Sequence, residues 1–145
     1  LNPPYLAANQ PFASLSELRL VKGVDREVYD KLALLVCALP PGTPLNVNTA
    51  PARVLAALDE QVELADLERL LEDRPAKGYE NVDEFLNAAK MTPDAPTKAL
   101  LSVDSQYFLL QAEARVGDGR AMLYSMIFRD ENGVRVLRRS FGNQD

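Results

Sequence analysis

The sequence predicts an α+β protein in which helices come first and an antiparallel sheet comes last. Up to about residue 103, apolar residues recur every three or four positions behind residues that commonly cap helices. From Asp104 onwards the period changes to two, and short glycine-containing turns separate the alternating segments. We therefore assign residues 1–103 to a helical domain with a short proline-containing lead, and residues 104–145 to a three-strand meander.

Two capping patterns mark the first helices. Residues 14–17 read Ser-Leu-Ser-Glu, which is the S-x-x-E form of a capping box and predicts a short helix after the lead. Asp25 is the predicted N-cap of the next helix, because apolar residues follow it at helical spacing: Val28, Leu32 and Leu35. Three prolines in residues 39–44 end this helix and form a rigid connector.

Further helices are predicted between residues 51 and 101. Asn48 or Thr49 is the expected N-cap of the first, with Pro51 in its first turn. Asn81 is the expected cap of a later one, and Thr92-Pro93 introduces a last short helix toward Leu101. The apolar stripes of these helices predict the core: Val54, Leu55 and Leu58, then Leu64, Leu67, Leu70 and Leu71, then Phe85, Leu86 and Ala89.

Several carboxylates share the helix that carries the second stripe. Glu63, Asp66, Glu68 and Glu72 lie on the face opposite its leucines. Nothing in the sequence places a cleft around them, so we interpret them as a solvated face and not as an acid/base pair.

The helical segments form a weak internal repeat of the helix-hairpin-helix (SAM-like) kind. In nucleic-acid-binding versions, glycines in the hairpin let backbone N–H groups approach a phosphate closely. Here residues 58–62 read Leu-Asp-Glu-Gln-Val, so a phosphate would meet the carboxylates of Asp59 and Glu60. The other two units keep one glycine each, Gly23 and Gly78, and Asp25 stands where a second glycine is expected. The pattern indicates the fold without the DNA-binding chemistry.

The last 42 residues predict three strands. Apolar residues from Phe108 to Val116 alternate with polar ones, which is typical of a strand with one buried face. Glycine-containing turns at residues 117–119 and 130–133 separate this strand from a second, about 120–128, and a third, 134–141. Both faces carry apolar residues, so we expect a long amphipathic helix outside this chain to pack against the sheet.

Composition excludes several functions. The 145 residues are 47% hydrophobic, carry a formal charge of -5 and contain no histidine. The acidic balance argues against non-specific nucleic-acid binding, whose affinity comes from clustered Lys and Arg. The lack of histidine removes Ser-His and Cys-His nucleophiles and every histidine-containing metal site. We expect no enzyme activity.

The single cysteine, the lack of a long apolar segment and the first residue of the chain give three further expectations. Cys37 is the only cysteine and lies in an apolar run, so we expect a buried, unreactive thiol and no intrachain disulfide. No segment approaches the roughly 20 apolar residues that span a bilayer. The chain begins at Leu1 without methionine, from which we expect a fragment or processed product whose targeting or anchoring segment lies elsewhere.

Several short segments together resemble a known family. They are Y-L-A-A-N-Q-P-F at residues 5–12, S-E-L-R-L-V at 16–21, A-L-P at 38–40, N-V-N-T-A at 46–50 and S-Q-Y-F at 105–108. In this order they resemble general secretion pathway protein K, a family of minor pseudopilins of the bacterial type II secretion system. The segment at residues 46–50 and the later strand signature are the most specific parts.

The resemblance implies a fold and a function. In that family a large helical domain is inserted into a pilin-like α/β domain, and an N-terminal hydrophobic helix anchors the protein in the inner membrane. It implies a periplasmic subunit at the tip of the pseudopilus whose partners are the minor pseudopilins I and J. It implies no nucleic-acid partner, and it implies membrane anchoring only through the N-terminal segment missing from this chain.

The resemblance also implies that the α/β domain can bind calcium. Within this chain Asp104, Asp118, Asp130 and Glu131 are candidate oxygen donors. Calcium takes about six to eight oxygen ligands, and no loop here offers them at a recognisable spacing. We therefore interpret each as a turn or solvent residue. The sequence identifies no catalytic residue, no cofactor-binding residue and no metal ligand.

Three classes of function stay open at this point. The first is a structural and interaction protein, the pseudopilus-tip subunit. The second is a DNA-binding helix-hairpin-helix module resembling a competence DNA receptor, which would need paired hairpin glycines and a positive face. The third is a hydrolase with paired carboxylates, which would need a cleft holding two of them roughly 5 to 10 Å apart.

Overall fold

The computed structural model of this protein describes residues 9–142. Contacts divide the chain into two units, Leu1–Asp104 and Ser105–Asp145, which we call the helical unit and the sheet unit. The proline-containing lead is predicted for residues 1 to about 13, of which residues 1–8 lie outside the described residues. The predicted boundary between a helical domain, residues 1–103, and a strand-containing domain, residues 104–145, stays a prediction.

The helical unit begins with a 3₁₀ helix, Leu15–Leu20, held by the predicted capping box. Ser14 Oγ accepts the N–H of Ser16 at 3.3 Å, and Glu17 Oε1 accepts the N–H of Ser14 at 3.0 Å. Each contact satisfies a backbone group that the first turn of a helix leaves without a partner.

Helix α1, Arg26–Leu32, starts where the sequence predicted. Asp25 Oδ1 accepts the N–H of Val28 at 2.9 Å, as an N-cap does. The prediction that this helix continues to residue 39 is wrong. The chain makes one further turn after Leu32 and then becomes extended. Leu34 is 81% exposed, so burial of its side chain does not stabilise another helical turn.

Cys37 is exposed, which contradicts the expected burial. It lines a cavity of about 220 Å³ together with apolar side chains that include Phe12, Leu18 and Leu32. The helices around this cavity contribute no buried residue, so the thiol lies at the rim of an open apolar surface. Desolvation by these neighbours still raises the pKa of the Cys37 thiol, which disfavours the reactive thiolate.

Four further helices follow in the helical unit: α2 Ala52–Ala56, α3 Leu64–Glu72, α4 Val82–Ala89 and α5 Ala95–Ala99. Asn81 Oδ1 caps α4 by accepting the N–H of Glu84 at 2.9 Å, as predicted. The predicted start of α5 is wrong by two residues, because Asp94 is its N-cap and accepts the N–H of Thr97 at 2.8 Å.

The predicted N-cap of α2 is also wrong. Pro51 occupies the N-cap position with an extended backbone, and no side chain caps the helix. The side chain of Asn48 instead bonds to distant backbone groups, and Thr49 bonds back to Asn46. Neither side chain is therefore available to α2.

Within residues 9–142, the buried hydrophobic residues all lie between Val47 and Leu101 of the helical unit. Leu55 and Phe85 are fully buried and Leu67 is 1% exposed, so the three predicted stripes meet in one core. Burial of this kind supplies most of the stability of short helices. The buried hydrophobic residues are Val47, Ala50, Leu55, Leu67, Tyr79, Phe85, Leu86, Ala89, Met91 and Leu101.

Two short strands close this core. Strand β1, Leu45–Asn46, pairs in parallel with β2, Leu101–Ser102. The predicted helix toward Leu101 is wrong at its end, because Leu101 belongs to β2 and pairs with Leu45 of β1. Two-residue strands are too short to show any alternation of apolar residues.

The sheet unit is the predicted antiparallel meander. Strands β3, Tyr107–Val116, β4, Gly119–Asp130, and β5, Gly133–Phe141, lie in the order β3-β4-β5. Tyr107 pairs with Phe128 and Val116 with Gly119, and a register shift interrupts the β4–β5 ladder between Met126 and Ile127. The mixed helix-and-sheet class predicted from the sequence is confirmed; the helix-hairpin-helix repeats and the pilin-like parentage of the sheet stay predictions.

The expectation of a buried face on β3 is wrong for the described residues. Phe108 is 39% exposed and Leu110 48% exposed, although they share the apolar face with Ile127 and Val136. The alternation correctly marked which face of β3 is apolar, but alternation cannot show whether another element covers that face.

Within residues 9–142 no helix is long and apolar enough to cross a membrane.

Candidate functional site

The most specific sequence motif, at residues 46–50, forms a hydrogen-bonded junction around Asn48. The Asn48 Nδ2 group donates to the carbonyl oxygen of Tyr79 at 3.0 Å and to that of Val103 at 3.2 Å. Its Oδ1 atom accepts the N–H of Tyr79 at 2.8 Å. One amide therefore joins three segments of the chain, using three of its four hydrogen-bonding positions.

Asn46 gives this motif its turn. Its Oδ1 atom accepts the N–H of Asn48 at 2.8 Å, and its carbonyl oxygen accepts the N–H groups of Thr49 and Ala50 at 3.2 and 3.0 Å. Such side-chain-to-backbone bonds replace a regular ladder and fix a tight turn. The turn directs the side chain of Asn48 toward the loop before α4.

The loop before α4 fits closely against this amide. Gly78 has a φ of +74°, and a Cβ atom there would lie 2.8 Å from Cγ of Asn48. The guanidinium of Arg74 donates to the carbonyl oxygen of Asn48. Tyr79 is buried against Phe85, and this burial raises the pKa of its phenol, with Arg74 opposing the shift and Glu84 adding to it. The sequence predicts that Gly78 is a remnant of a helix-hairpin-helix turn, and in the structure Gly78 packs against Asn48.

The hairpin between α2 and α3 is closed by a carboxylate of the chain itself. Asp59 Oδ1 accepts the N–H of Gln61 at 3.0 Å, and Asp59 Oδ2 accepts the N–H of Thr92 at 2.8 Å. Backbone hydrogen bonds from Thr92 and, to a lesser degree, Gln61 hold the pKa of Asp59 below its usual range. Backbone N–H groups of a hairpin are the donors that a phosphate would need, and here Asp59 occupies one of them.

In the turn before α1, as in the turn between α2 and α3, a carboxylate of the chain accepts a backbone N–H group. Gly23 has a φ of +94° in the turn before α1, while Asp25 caps that helix through the N–H of Val28. A carboxylate again lies where the DNA-binding pattern has a second glycine. A phosphate approaching α1 would therefore meet a negative charge that already satisfies the N–H group.

The carboxylates of α3 and of its N-cap position are exposed to solvent. Glu63, Asp66, Glu68 and Glu72 are all exposed, as predicted, and Asp66 forms an exposed pair with Arg69 at 3.5 Å. Beside them an open groove of about 420 Å³ carries mixed charged and apolar residues, including Lys90 and Leu70. These solvated groups are suited to contact with a polar surface and offer no enclosed acid/base pair.

The structure separates the candidate calcium ligands. Asp118 lies in the β3–β4 turn and Glu131 in the β4–β5 turn, at opposite ends of the twelve-residue strand β4, which spans about 35 Å. Asp130 accepts the N–H of Asn132 at 2.9 Å and lies 3.7 Å from Arg135. Asp104 is exposed and belongs to the helical unit. In the part of the chain that the structure describes, no group of three or more Cys, Asp or Glu residues is arranged to hold a metal ion.

Two models of one protein family match this chain. Both describe the type II secretion system (T2SS), protein K; one matches residues 1–41 and the other residues 45–104. The second match begins at β1 and ends just after β2, and so covers the buried core and the Asn48 junction. The junction residues are thus part of what the family model describes.

Proteins called type II secretion system protein K are similar to the chain along almost its whole length. The protein of Aeromonas hydrophila is 40% identical over 153 residues, covering 100% of this chain and 46% of that protein. The protein of Pseudomonas aeruginosa is 36% identical over 141 residues, covering 97% of this chain and 42% of that protein. This chain therefore spans less than half the length of these relatives.

A solved structure has the same fold. A chain in the crystal structure of the GspK-GspI-GspJ complex from enterotoxigenic Escherichia coli matches with a TM-score of 0.79 and 39% sequence identity. The match covers 97% of this chain and 51% of that chain.

Proposed function

The chain belongs to the family of type II secretion system protein K, and from that premise we propose that it is part of a minor pseudopilin. Its role is structural: it binds the minor pseudopilins I and J at the tip of the pseudopilus and supports protein export across the outer membrane. The observation that carries this proposal is the match of 97% of the chain, at a TM-score of 0.79, to a chain of the GspK-GspI-GspJ complex.

The exposed apolar face of the sheet unit supports an assembly role. Phe108, Leu110 and Val136 are 39 to 48% exposed on one face of the three-strand sheet. Apolar sheet faces are stable in water only when another element covers them. We propose that residues 104–145 are the last strands of a pilin-like α/β domain, whose long helix covers this face, and that residues 1–103 are the inserted helical domain.

The resemblance also supports a location and a cation for the whole protein. We propose a periplasmic position with anchoring in the inner membrane through an N-terminal segment of the full-length protein. Calcium in the α/β domain is proposed on the same ground. Asp118 and Glu131 lie at opposite ends of β4 and cannot bind the same ion, so a calcium site at either one would need ligands from other parts of the protein.

The hairpin geometry favours protein partners over DNA. Asp59 holds the N–H group of Gln61 that a phosphate would need, and Asp25 does the same at α1. A carboxylate in that position repels a phosphate and already accepts the N–H group for which the phosphate would have to compete. The second function class, a DNA-binding helix-hairpin-helix module, is disfavoured by these carboxylates and by the formal charge of -5.

Co-purification tests the proposal directly. The chain would be produced with minor pseudopilins I and J of the same secretion system, together and singly, and analysed by size-exclusion chromatography with light scattering. We expect a stable complex of defined stoichiometry, and an unrelated periplasmic protein should not enter it. Three proteins that elute separately at micromolar concentrations would contradict the proposal.

A DNA titration tests the alternative in parallel. Fluorescence anisotropy with duplex DNA would compare the chain with a variant that restores hairpin glycines, Asp59→Gly with Glu60→Gly. Non-specific DNA binders reach a Kd of about 10⁻⁴ to 10⁻⁶ M at physiological salt, and we expect the unaltered chain to show no binding in that range. Micromolar binding that weakens steeply with salt would favour the DNA-binding class.

A further inference from the structure

The turn between β4 and β5 contains the one asparagine in the sequence that is followed by glycine, Asn132-Gly133. Both residues are exposed, and Gly133 has a φ of +122°. A Cβ atom at Gly133 would meet nothing within 4 Å, so neither a side chain nor close packing shields the backbone beside Asn132. This is the arrangement in which an asparagine side chain can react with its own backbone.

Two other asparagines of the described chain have side chains fixed by hydrogen bonds. Asn48 is fixed by the backbone of Tyr79 and Val103, and Asn81 caps α4 through the N–H of Glu84. The backbone N–H of Asn132 donates to Asp130 Oδ1 at 2.9 Å, and in residues 9–142 no protein group bonds to the side-chain amide of Asn132. The Asn132 side chain is therefore free to rotate toward the following backbone nitrogen.

We propose that Asn132 is a site of spontaneous deamidation in the folded protein, a modification that goes beyond the proposed function. The backbone nitrogen of Gly133 loses its proton and attacks Cγ of Asn132, forming a five-membered succinimide and releasing the side-chain nitrogen as ammonia. Water then opens the ring at either carbonyl carbon. The products are aspartate and isoaspartate, and no oxidant or reductant is needed.

The modification adds charge where charge already accumulates. Asp130 and Glu131 directly precede Asn132, so the product is a run of three carboxylates in one turn. The isoaspartate form also lengthens the backbone by one methylene inside the turn that pairs Asp130 with Gly133. Both changes act on the register of the β4–β5 hairpin.

Trypsin isolates the site conveniently. Cleavage after Arg129 and Arg135 releases residues 130–135, and cleavage after Lys77 and Lys90 releases residues 78–90. The second peptide contains Asn87, which is exposed but lies in α4 and precedes alanine, and so provides an internal control. The folded chain would be incubated at mildly alkaline pH and sampled over time by liquid chromatography and mass spectrometry.

We expect peptide 130–135 to acquire the mass of the acid form and to divide into two chromatographic peaks, while peptide 78–90 stays unchanged. The Asn132→Gln variant should lose the conversion, because its longer side chain would have to close a less favourable six-membered ring. The proposal is overturned if peptide 130–135 keeps its amide while the protein is folded and converts only in denaturant. It is equally overturned if peptide 78–90 converts at the same rate.

Discussion

The side chain of Asn48 holds the backbone of Tyr79 at both its polar groups, accepting its N–H at 2.8 Å and donating to its carbonyl oxygen at 3.0 Å. The two residues are 31 positions apart. The same amide reaches Val103, at the end of the helical unit. The Asn48 side chain thus pairs with backbone N–H and C=O groups as a neighbouring strand would. These hydrogen bonds satisfy backbone groups that the two-residue strands do not pair.

The first prediction concerns this amide. Asn48→Ala leaves the N–H and carbonyl of Tyr79 and the carbonyl of Val103 without their partner, so we expect a loss of about 3 kcal/mol in the free energy of unfolding. Asn87→Ala, on the exposed face of α4, is the control and should change it by less than about 0.5 kcal/mol. Denaturant unfolding would measure both. Equal effects would mean that Asn48 contributes no more than a surface asparagine.

The second prediction links Asn48 with Gly78. Gly78→Ala should destabilise the protein because its φ is +74° and because the new Cβ would lie 2.8 Å from Cγ of Asn48. In an Asn48→Ala background the steric conflict disappears and only the backbone strain, about 1 to 2 kcal/mol, should remain. A double-mutant cycle measures the difference. Additive costs of the two substitutions would show that Gly78 is required for its backbone conformation alone.

The third prediction concerns the core. Leu55 is fully buried on α2, and Leu55→Ala should cost about 2 to 5 kcal/mol through lost burial and the cavity that it leaves. Arg53, on the same helix, is exposed, and Arg53→Ala should have little effect. Chemical denaturation would compare the two variants. Small and equal effects would place the packed face of α2 elsewhere.

The core was predictable because its residues repeat. Leu55, Leu67 and Phe85 belong to apolar stripes with helical spacing, and all three are buried. The strands from Tyr107 to Phe141 were predictable for the same reason, with period two in place of 3.6. Local capping chemistry was predictable where a side chain reaches only its own helix, as at Asp25 and Asn81.

The junction was not predictable because its contacts are distant in the sequence. The neighbouring residues alone predict a capping role for Asn48. Its side-chain amide instead donates hydrogen bonds to the carbonyl oxygens of Tyr79 and Val103, which are far away in the sequence. Similarly, the sequence predicts that Asp59 opposes phosphate, but nothing local indicated that Thr92 would be its hydrogen-bond partner. The exposure of Cys37 was missed because an apolar run cannot reveal which of its residues lie at an open surface.

The fourth prediction concerns acid stability. Hydrogen bonds from Thr92 and Gln61 lower the folded-state pKa of Asp59. The stabilisation from this carboxylate is therefore complete above the unfolded-state pKa of about 3.9 and is lost as the pH falls through the lower folded-state pKa. Asp59→Asn should reduce stability at neutral pH and flatten its decline in acid.

Glu60→Gln is the matched control for this measurement, because Glu60 is the exposed neighbour of Asp59. Unfolding free energies from neutral pH into strong acid would be compared for the unaltered chain and the two variants. We expect Glu60→Gln to follow the unaltered chain. Parallel acid profiles for Asp59→Asn and the unaltered chain would show that the hairpin carboxylate does not couple to folding.

The last prediction concerns the proposed position at the tip. Filament subunits repeat through head-to-tail contacts, and a subunit that cannot accept the next copy ends the filament. The resemblance implies that pilin-like subunits stack through long N-terminal helices, so a subunit carrying a large extra helical domain should block further addition. Residues 14–101 contain most of that bulk and, within the described chain, all the buried hydrophobic residues.

Deleting residues 14–101 in a full-length protein K that carries this sequence, with a short Gly/Ser linker, should remove the block while keeping the strands. Pseudopilus length by electron microscopy and secretion of an exported protein would be measured beside membrane fractionation and protease resistance of the shortened protein. Longer filaments with altered secretion agree with capping by bulk, whereas a folded, membrane-inserted deletion that leaves filament length and secretion unchanged would refute it.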